Sequence, residues 1–186
     1  MSTSIGKRFE DNWKLSLPKD ILYHRLKDSA QSFDKNKKNS KLRFSLKNPC
    51  DCFMFYSPYF FTLELKSVGT TSISFEREKP KSNSDKKTIH YHQIEGLRKF
   101  SKYNNTISGF LFNFRHKDGT EILYFQRIED FDQMITDIDK KSFNEKDLIE
   151  HNPIIIESRK LKVNYRYNVE KFISDVTKGD LNIEKI

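Results

Sequence analysis

The residues of this chain best suited to chemistry are Asp51, Glu64 and Lys66, two carboxylates and an amine in the pattern D-x12-E-x-K. Asp51 to Tyr56 and Tyr59 to Ser67 are rich in Phe and Tyr and alternate, so they read as two strands with Ser57-Pro58 as the turn. With the turn centred there, positions that sum to 115 face each other: Phe55 with Phe60, Phe53 with Thr62, and Asp51 with Glu64. Opposed residues of antiparallel strands have Cβ atoms about 4.5–5.5 Å apart, and like charges so placed destabilise a sheet unless something positive lies between them. A divalent cation would meet that need. Hard oxygen ligands suit Mg2+ or Mn2+, which activates water and stabilises charge on a phosphate, while the ammonium of Lys66 would hold the water or the phosphate. The chemistry in view is metal-dependent hydrolysis of a phosphodiester. A solvated strand end with a Glu64/Lys66 surface pair has the same spelling, and short patterns of this kind also arise by accident.

The strands that position these groups have a simple periodicity. Alternation puts Asp51, Phe53, Phe55, Phe60, Thr62, Glu64 and Lys66 on one face, and Cys52, Met54, Tyr56, Tyr59, Phe61, Leu63 and Leu65 on the other. The second face is assigned to the core; the first carries every charge, gathered at the end away from the turn.

Around the hairpin, Ile5, Phe9 and Trp13 recur every four residues, which predicts an amphipathic helix with Ser4 as its N-cap. Glu10 adjoins that stripe, either as a solvated helix residue or as a carboxylate at the core margin pointing toward the hairpin. Leu17-Pro18 ends the helix, and Ile21 to Leu26 reads as a short strand leading into a loop from Lys27 to Ser40. That loop and its continuation hold Lys35, Lys37, Lys38, Lys41, Arg43 and Lys47, a solvated run or an approach surface for a phosphate backbone. Glu76 to Lys87 is a second polar stretch, read as a loop or projecting excursion. A helix is expected from about His90 to Tyr103, with Gln93, Leu97 and Phe100 on its inward stripe; a polar Gln93 there needs a hydrogen-bond partner. Strands from Ile107 to Arg115 and Thr120 to Gln126 follow, joined through Asp118-Gly119, and a helix from about Ile128 to Ile138 completes an α-β-β-β-α-β-β-α order. Beyond Phe143 we expect a small helix, a strand around Ile154 to Ile156 and a helix after Asn168.

Composition sets the frame. With 186 residues the chain is most simply one domain, a core of about residues 5–140 with a C-terminal extension over 142–186 packing on it. A formal charge of +8 and a pI near 9.3 favour a polyanionic partner, nucleic acid ahead of an anionic membrane because no basic amphipathic helix stands out. No segment suits a signal peptide or a membrane span, so a cytoplasmic location is expected. The two cysteines, Cys50 and Cys52, cannot complete a zinc site alone and are expected as small buried hydrophobes, which fits a reducing compartment.

The run Gly6-Lys7-Arg8-Phe9-Glu10, Asp51, Glu64-Leu65-Lys66, Thr70-Thr71-Ser72 and His92-Gln93-Ile94-Glu95 together resemble RecU-type Holliday-junction resolvases, in particular phage-borne members, within the PD-(D/E)xK nuclease superfamily. The likeness in order and spacing extends from about Gly6 through Arg127, with a looser match near Asn164 to Tyr167. The resemblance implies an α/β, restriction-endonuclease-like core with a central mixed sheet flanked by helices. It also implies a homodimer, a Mg2+ (or Mn2+) cofactor, and paired symmetric nicks in four-way DNA junctions during recombination or repair. Carried over residue by residue, Asp51 and Glu64 would bind metal together with the backbone carbonyl of Leu65. Lys66 would position the attacking water, Glu10 would complete or support the metal site, and Gln93 would support the lysine or the water. Lys7, Arg8, Thr71 and Ser72 become candidate DNA contacts, joined by Lys41 and Arg43 of the basic run. The stretch Phe75 to Thr88 is longer and richer in lysine than that family's connection. Other nucleases of the superfamily, acting on duplex or branched DNA, share the same metal residues. A catalytically silent DNA-binding protein of the same fold is a further alternative.

Overall fold

The computed structural model describes residues 4–27, 47–69, 71–80 and 87–178. In chain order the elements are α1 (Ile5–Lys14), β1 (Leu22–Arg25), β2 (Cys52–Tyr56), β3 (Tyr59–Val68), β4 (Ile73–Ser74), α2 (Tyr91–Ser101), β5 (Thr106–Arg115), β6 (Glu121–Arg127), α3 (Ile128–Asp137), β7 (Ser142–Phe143), α4 (Glu145–Ile149), β8 (Ile154–Ile156), β9 (Ser158–Lys160), β10 (Tyr165–Tyr167) and α5 (Val169–Thr177). Six strands form one mixed sheet in the order β1-β2-β3-β5-β6-β8, in which only β3 and β5 run parallel. A parallel neighbour needs a crossover, and the connection from β3 to β5 carries α2 across one face of the sheet. This is the α/β architecture expected from the sequence, a central mixed sheet flanked by helices. The expected element order is present, with the two-residue strand β4 added between β3 and α2 and paired to β7.

Local chemistry explains the helices that matter for the site. Ser4 caps α1 by accepting from Lys7 N, and Phe9 and Trp13 bury their side chains while Ile5 stays exposed at the outer end. At the start of α2 the Gln93 side chain accepts from His90 N at 2.9 Å, closing a capping box. Glu76 reinforces it, with one carboxylate oxygen accepting from Tyr91 N at 2.7 Å and the other 3.3 Å from His90 Nδ1. Glu76 is therefore part of the helix start, while positions 81–86 of the polar stretch that it opens lie outside the described residues.

Two apolar layers sandwich the sheet. Phe9 and Trp13 of α1 and Phe172, Ile173 and Val176 of α5 pack with Cys52, Met54, Phe61, Leu63 and Leu65. On the opposite side, Ile94 and Leu97 of α2 and Phe131 and Met134 of α3 pack with Phe110, Phe112 and Tyr124. Alternation alone gives the hairpin one core face, whereas the fold covers both. Thr62 and Glu64 are 0% and 1% exposed, and the rings of Phe53 and Phe60 meet Phe100 of α2. The carboxylate face thus lies beneath α2, because the parallel partner β5 brings the crossover helix down upon it. A bend from Pro49 through Asp51 divides the two cysteines between these layers, Cys52 in the first and Cys50 in the second; both are buried and unbridged.

Candidate active site

The hairpin register holds from Tyr56↔Tyr59 to Cys52↔Leu63, with Phe55↔Phe60 and Phe53↔Thr62 as expected. It departs at Asp51. There the N–H donates to Leu63 O at 3.1 Å, while the carbonyl accepts from Leu26 N on the other side. Asp51 therefore leaves the ladder instead of standing squarely opposite Glu64. Its carboxylate Oδ2 accepts from Leu65 N at 2.8 Å, taking the place a further β2 residue would have had. Leu65 shares the parity of Leu63, whose carbonyl faces β2, so the Leu65 carbonyl opens on the same edge, beyond the last β2 pair.

Glu64 sits on the face covered by α2. Its Oε1 lies 2.9 Å from Lys66 Nζ, with the two side chains 2% and 15% exposed, and the same oxygen accepts a hydrogen bond from Gln93 Nε2. Gln93 thus satisfies a backbone N–H with its oxygen and steadies Glu64 with its nitrogen, so its partner is the glutamate. Burial pushes the Glu64 carboxyl up to about 7, against the pull of Lys66 and with the help of the neighbouring Asp51. Burial also raises Asp51, opposed by the Leu65 N–H and Lys66, while Glu10 adds to the rise. Glu10 reaches this neighbourhood from α1, and its Oε2 accepts from Arg25 Nε of β1 at 2.6 Å.

The site therefore gathers three carboxylates, Glu10, Asp51 and Glu64, against two cations, Arg25 and Lys66. Two of the carboxylates, Asp51 and Glu64, are held in their neutral form more readily than usual, chiefly because they are buried and to a lesser degree because each has an acidic neighbour. Among the described residues no three His, Cys, Asp or Glu side chains stand close enough to hold a metal ion together. Mg2+ and Mn2+ do not demand such a cage, since Mg2+ usually keeps several waters and takes one or two carboxylates plus substrate phosphates. Asp51, Glu64 and the Leu65 carbonyl fit that donor set.

The remaining sequence-derived candidates are more scattered. Lys7 pairs with Asp11 on the outside of α1, and Arg8 reaches Glu121 of β6 at 3.3 Å. Thr71 and Ser72 are exposed just beyond β3. Lys41, Arg43 and Thr70 lie outside the described residues.

Three residues near the site, Arg25, His92 and Gly96, carry no role assigned from the sequence, though His92 lies within the motif His92-Gln93-Ile94-Glu95. Arg25 is brought to Glu10 by a β1–β2 pairing with no local signature. His92, beside Gln93, is pushed down to about 4 by partial burial and then by Lys47 and His90. Gly96 had a visible signal, a lone glycine inside a helical pattern: a Cβ there would lie 2.2 Å from Pro49 O, so its absence lets the segment before Asp51 lie against α2.

No protein-family model matches the chain. Among solved structures it is similar to the Holliday junction resolvase Hjc of the archaeal hyperthermophile Archaeoglobus fulgidus, with a TM-score of 0.37 and 12% identity over 69% of this chain and 78% of that one. Among curated proteins it is similar to the SPbeta prophage-derived uncharacterized protein YotM of Bacillus subtilis (strain 168). The two are 31% identical over 192 residues, spanning 97% of this chain and 90% of the relative. With that identity along nearly its whole length, the chain belongs to the family of the Bacillus prophage protein YotM.

Proposed function

We propose that this protein is a Mg2+- or Mn2+-dependent endodeoxyribonuclease of the PD-(D/E)xK type that resolves four-way DNA junctions, working as a RecU-like homodimer. The observation that carries the reading is the convergence of Asp51, Glu64 and Lys66 at the open end of one hairpin, with Asp51 bonded to Leu65 N and Glu64 to Lys66 Nζ. The order of motifs from Gly6 to Glu95 supports the finer assignment to resolvases.

In this reading Asp51, Glu64 and the Leu65 carbonyl would hold the ion, which would supply an activated water and offset charge on the scissile phosphate. Lys66 contributes a positive charge beside the attacking water and the phosphate oxygens. Gln93 fixes the rotamer of Glu64 from α2, and Glu10, partnered by Arg25, completes or supports the metal site from α1. A junction presents two equivalent strands, and a two-fold dimer with one centre per subunit matches that symmetry.

The test compares cleavage of a labelled mobile four-way junction with matched linear duplex in Mg2+, Mn2+ and EDTA. Paired symmetric nicks in the junction alone are expected. Cutting of linear duplex at the same rate would assign a different nuclease, and metal-independent binding without cutting would assign a silent DNA-binding protein.

A further inference from the structure

Beside the catalytic group a cleft of about 780 Å³ runs between α2 and the segment Lys47–Pro49, its α2 wall extending from His92 to Lys102. We propose that this cleft is the track for one DNA strand, whose backbone phosphates are held by Lys47, Lys99 and Lys102 as the strand enters the catalytic centre. The inference rests on the nuclease reading for its direction and on the cleft's own charges for its ligand.

Charge decides the kind of ligand. The two acids that line the cleft, Glu95 and Asp132, are both held by Arg98, with Nη1 2.6 Å from Glu95 and Nε and Nη2 2.8 and 2.7 Å from Asp132. Lys47, Lys99 and Lys102 are exposed, and none pairs with a carboxylate among the described residues. Arg98 offsets one of the two negative charges, and the three ammonium groups outweigh the other, so the lining is net positive.

Length decides between a single anion and a polymer. Lys102, the C-cap of α2, lies ten helical steps beyond His92, about 15 Å at ~1.5 Å per residue. One phosphate would leave most of that wall empty, whereas a DNA strand advances about 3.4 Å per nucleotide along the duplex axis and would offer several phosphates.

Both walls lead to the catalytic residues. Pro49 lies against Gly96, and Asp51 follows two residues later. His92 is next to Gln93, which bonds Glu64. A strand lying in the cleft therefore arrives at the edge where Asp51 leaves the β2–β3 ladder.

The experiment is fluorescence anisotropy of a labelled four-way junction with the full chain in EDTA, so that no cutting occurs, across a range of salt. The triple variant Lys47→Gln/Lys99→Gln/Lys102→Gln is expected to bind at least tenfold more weakly, with the slope of log K against log salt reduced by about 2–3, since each phosphate contact contributes about 0.9. The matching Lys→Arg triple should restore binding, and Lys14→Gln/Lys162→Gln, away from the cleft, should stay within twofold of wild type. An unchanged affinity and slope in the Gln triple would overturn the proposal, as would wild-type protein that binds anionic lipid vesicles but not DNA. The outcomes separate the two claims. Wild-type cutting with an unaffected triple rejects the track and keeps the nuclease, whereas salt-dependent binding lost in the triple, without any cutting by wild type in Mg2+, keeps the track and rejects the nuclease.

Discussion

Lys66 Nζ lies 2.9 Å from Glu64 Oε1, two residues along one strand and on one face of it. The pair is nearly dry, and Gln93 bonds the same glutamate oxygen, so two donors converge on a carboxylate with a raised pKa. A surface pair would contribute little to stability or chemistry. Beneath α2, burial raises the Glu64 carboxyl and the Lys66 ammonium pulls against that rise.

Removing the amine should therefore affect chemistry more than affinity. Lys66→Ala is expected to lower cleavage by about 10²-fold or more, the usual effect of deleting a group that stabilises developing charge. Junction affinity in EDTA should stay within a few-fold of wild type, because exposed lysines elsewhere carry it. Single-turnover rates set beside anisotropy would separate the two effects; a matching loss in both would make Lys66 a docking residue.

The buried carboxylates make metal-free stability depend on pH. Glu64 titrates near 7 in the folded chain, against 4.5 for a freely solvated glutamate, so its stabilising contribution is complete below about 4.5 and is lost as pH rises through 7. Asp51, also raised, acts in the same direction. Urea midpoints in EDTA should fall between pH 5 and pH 8, by the equivalent of on the order of 2 kcal/mol. Glu64→Gln should flatten that decline and be the more stable protein at pH 8. A wild-type midpoint that rises across this range would contradict the assigned environment of Glu64.

Metal should reverse the penalty. If the proposed centre holds Mn2+ through the ionised carboxylates, the rise in Tm on adding it should be larger at pH 8 than at pH 6, following mass action on the folded state alone. Asp51→Asn and Glu64→Gln should each abolish most of the rise. Equal shifts in wild type and both variants would place the ion elsewhere.

Gly96 tests how tightly the approach to Asp51 is positioned. Alanine improves helix propensity by about 1 kcal/mol, but overpacking costs about 1–3 kcal/mol, and here the added methyl meets backbone, 2.2 Å from Pro49 O. The clash should win. Gly96→Ala is expected to lower both thermal stability and cleavage, whereas Gly6→Ala, with nothing within 4 Å of its Cβ, should leave cleavage unchanged.

Much of this arrangement was legible in the residues. Alternation around Ser57-Pro58 gave the hairpin register, and the inward stripe of α2 marked Gln93 as a residue in need of a partner. Ser4 and Asn168 announced the starts of α1 and α5, where each accepts from a backbone N–H three residues on. What stayed hidden was non-local. No periodicity shows that β3 takes β5 as a parallel neighbour, which is why a face spelled Thr62, Glu64, Lys66 proved to be covered. The exit of Asp51 from the ladder depends on Leu26 drawing its carbonyl one way and Leu63 its N–H the other. The paired segments β9 and β10 were not read as strands because three residues are too few for an alternation to show. Among the described residues no helix is long and apolar enough to cross a membrane, in line with the hydropathy of the sequence.

The most direct test of the proposed nuclease centre is the single-turnover rate at which purified protein cuts a labelled four-way junction in Mg2+, measured for wild type and for Asp51→Ala. Paired nicks by wild type that vanish in EDTA are expected, with loss of cutting in Asp51→Ala and junction binding retained. Undiminished cutting by purified Asp51→Ala would contradict the proposed centre.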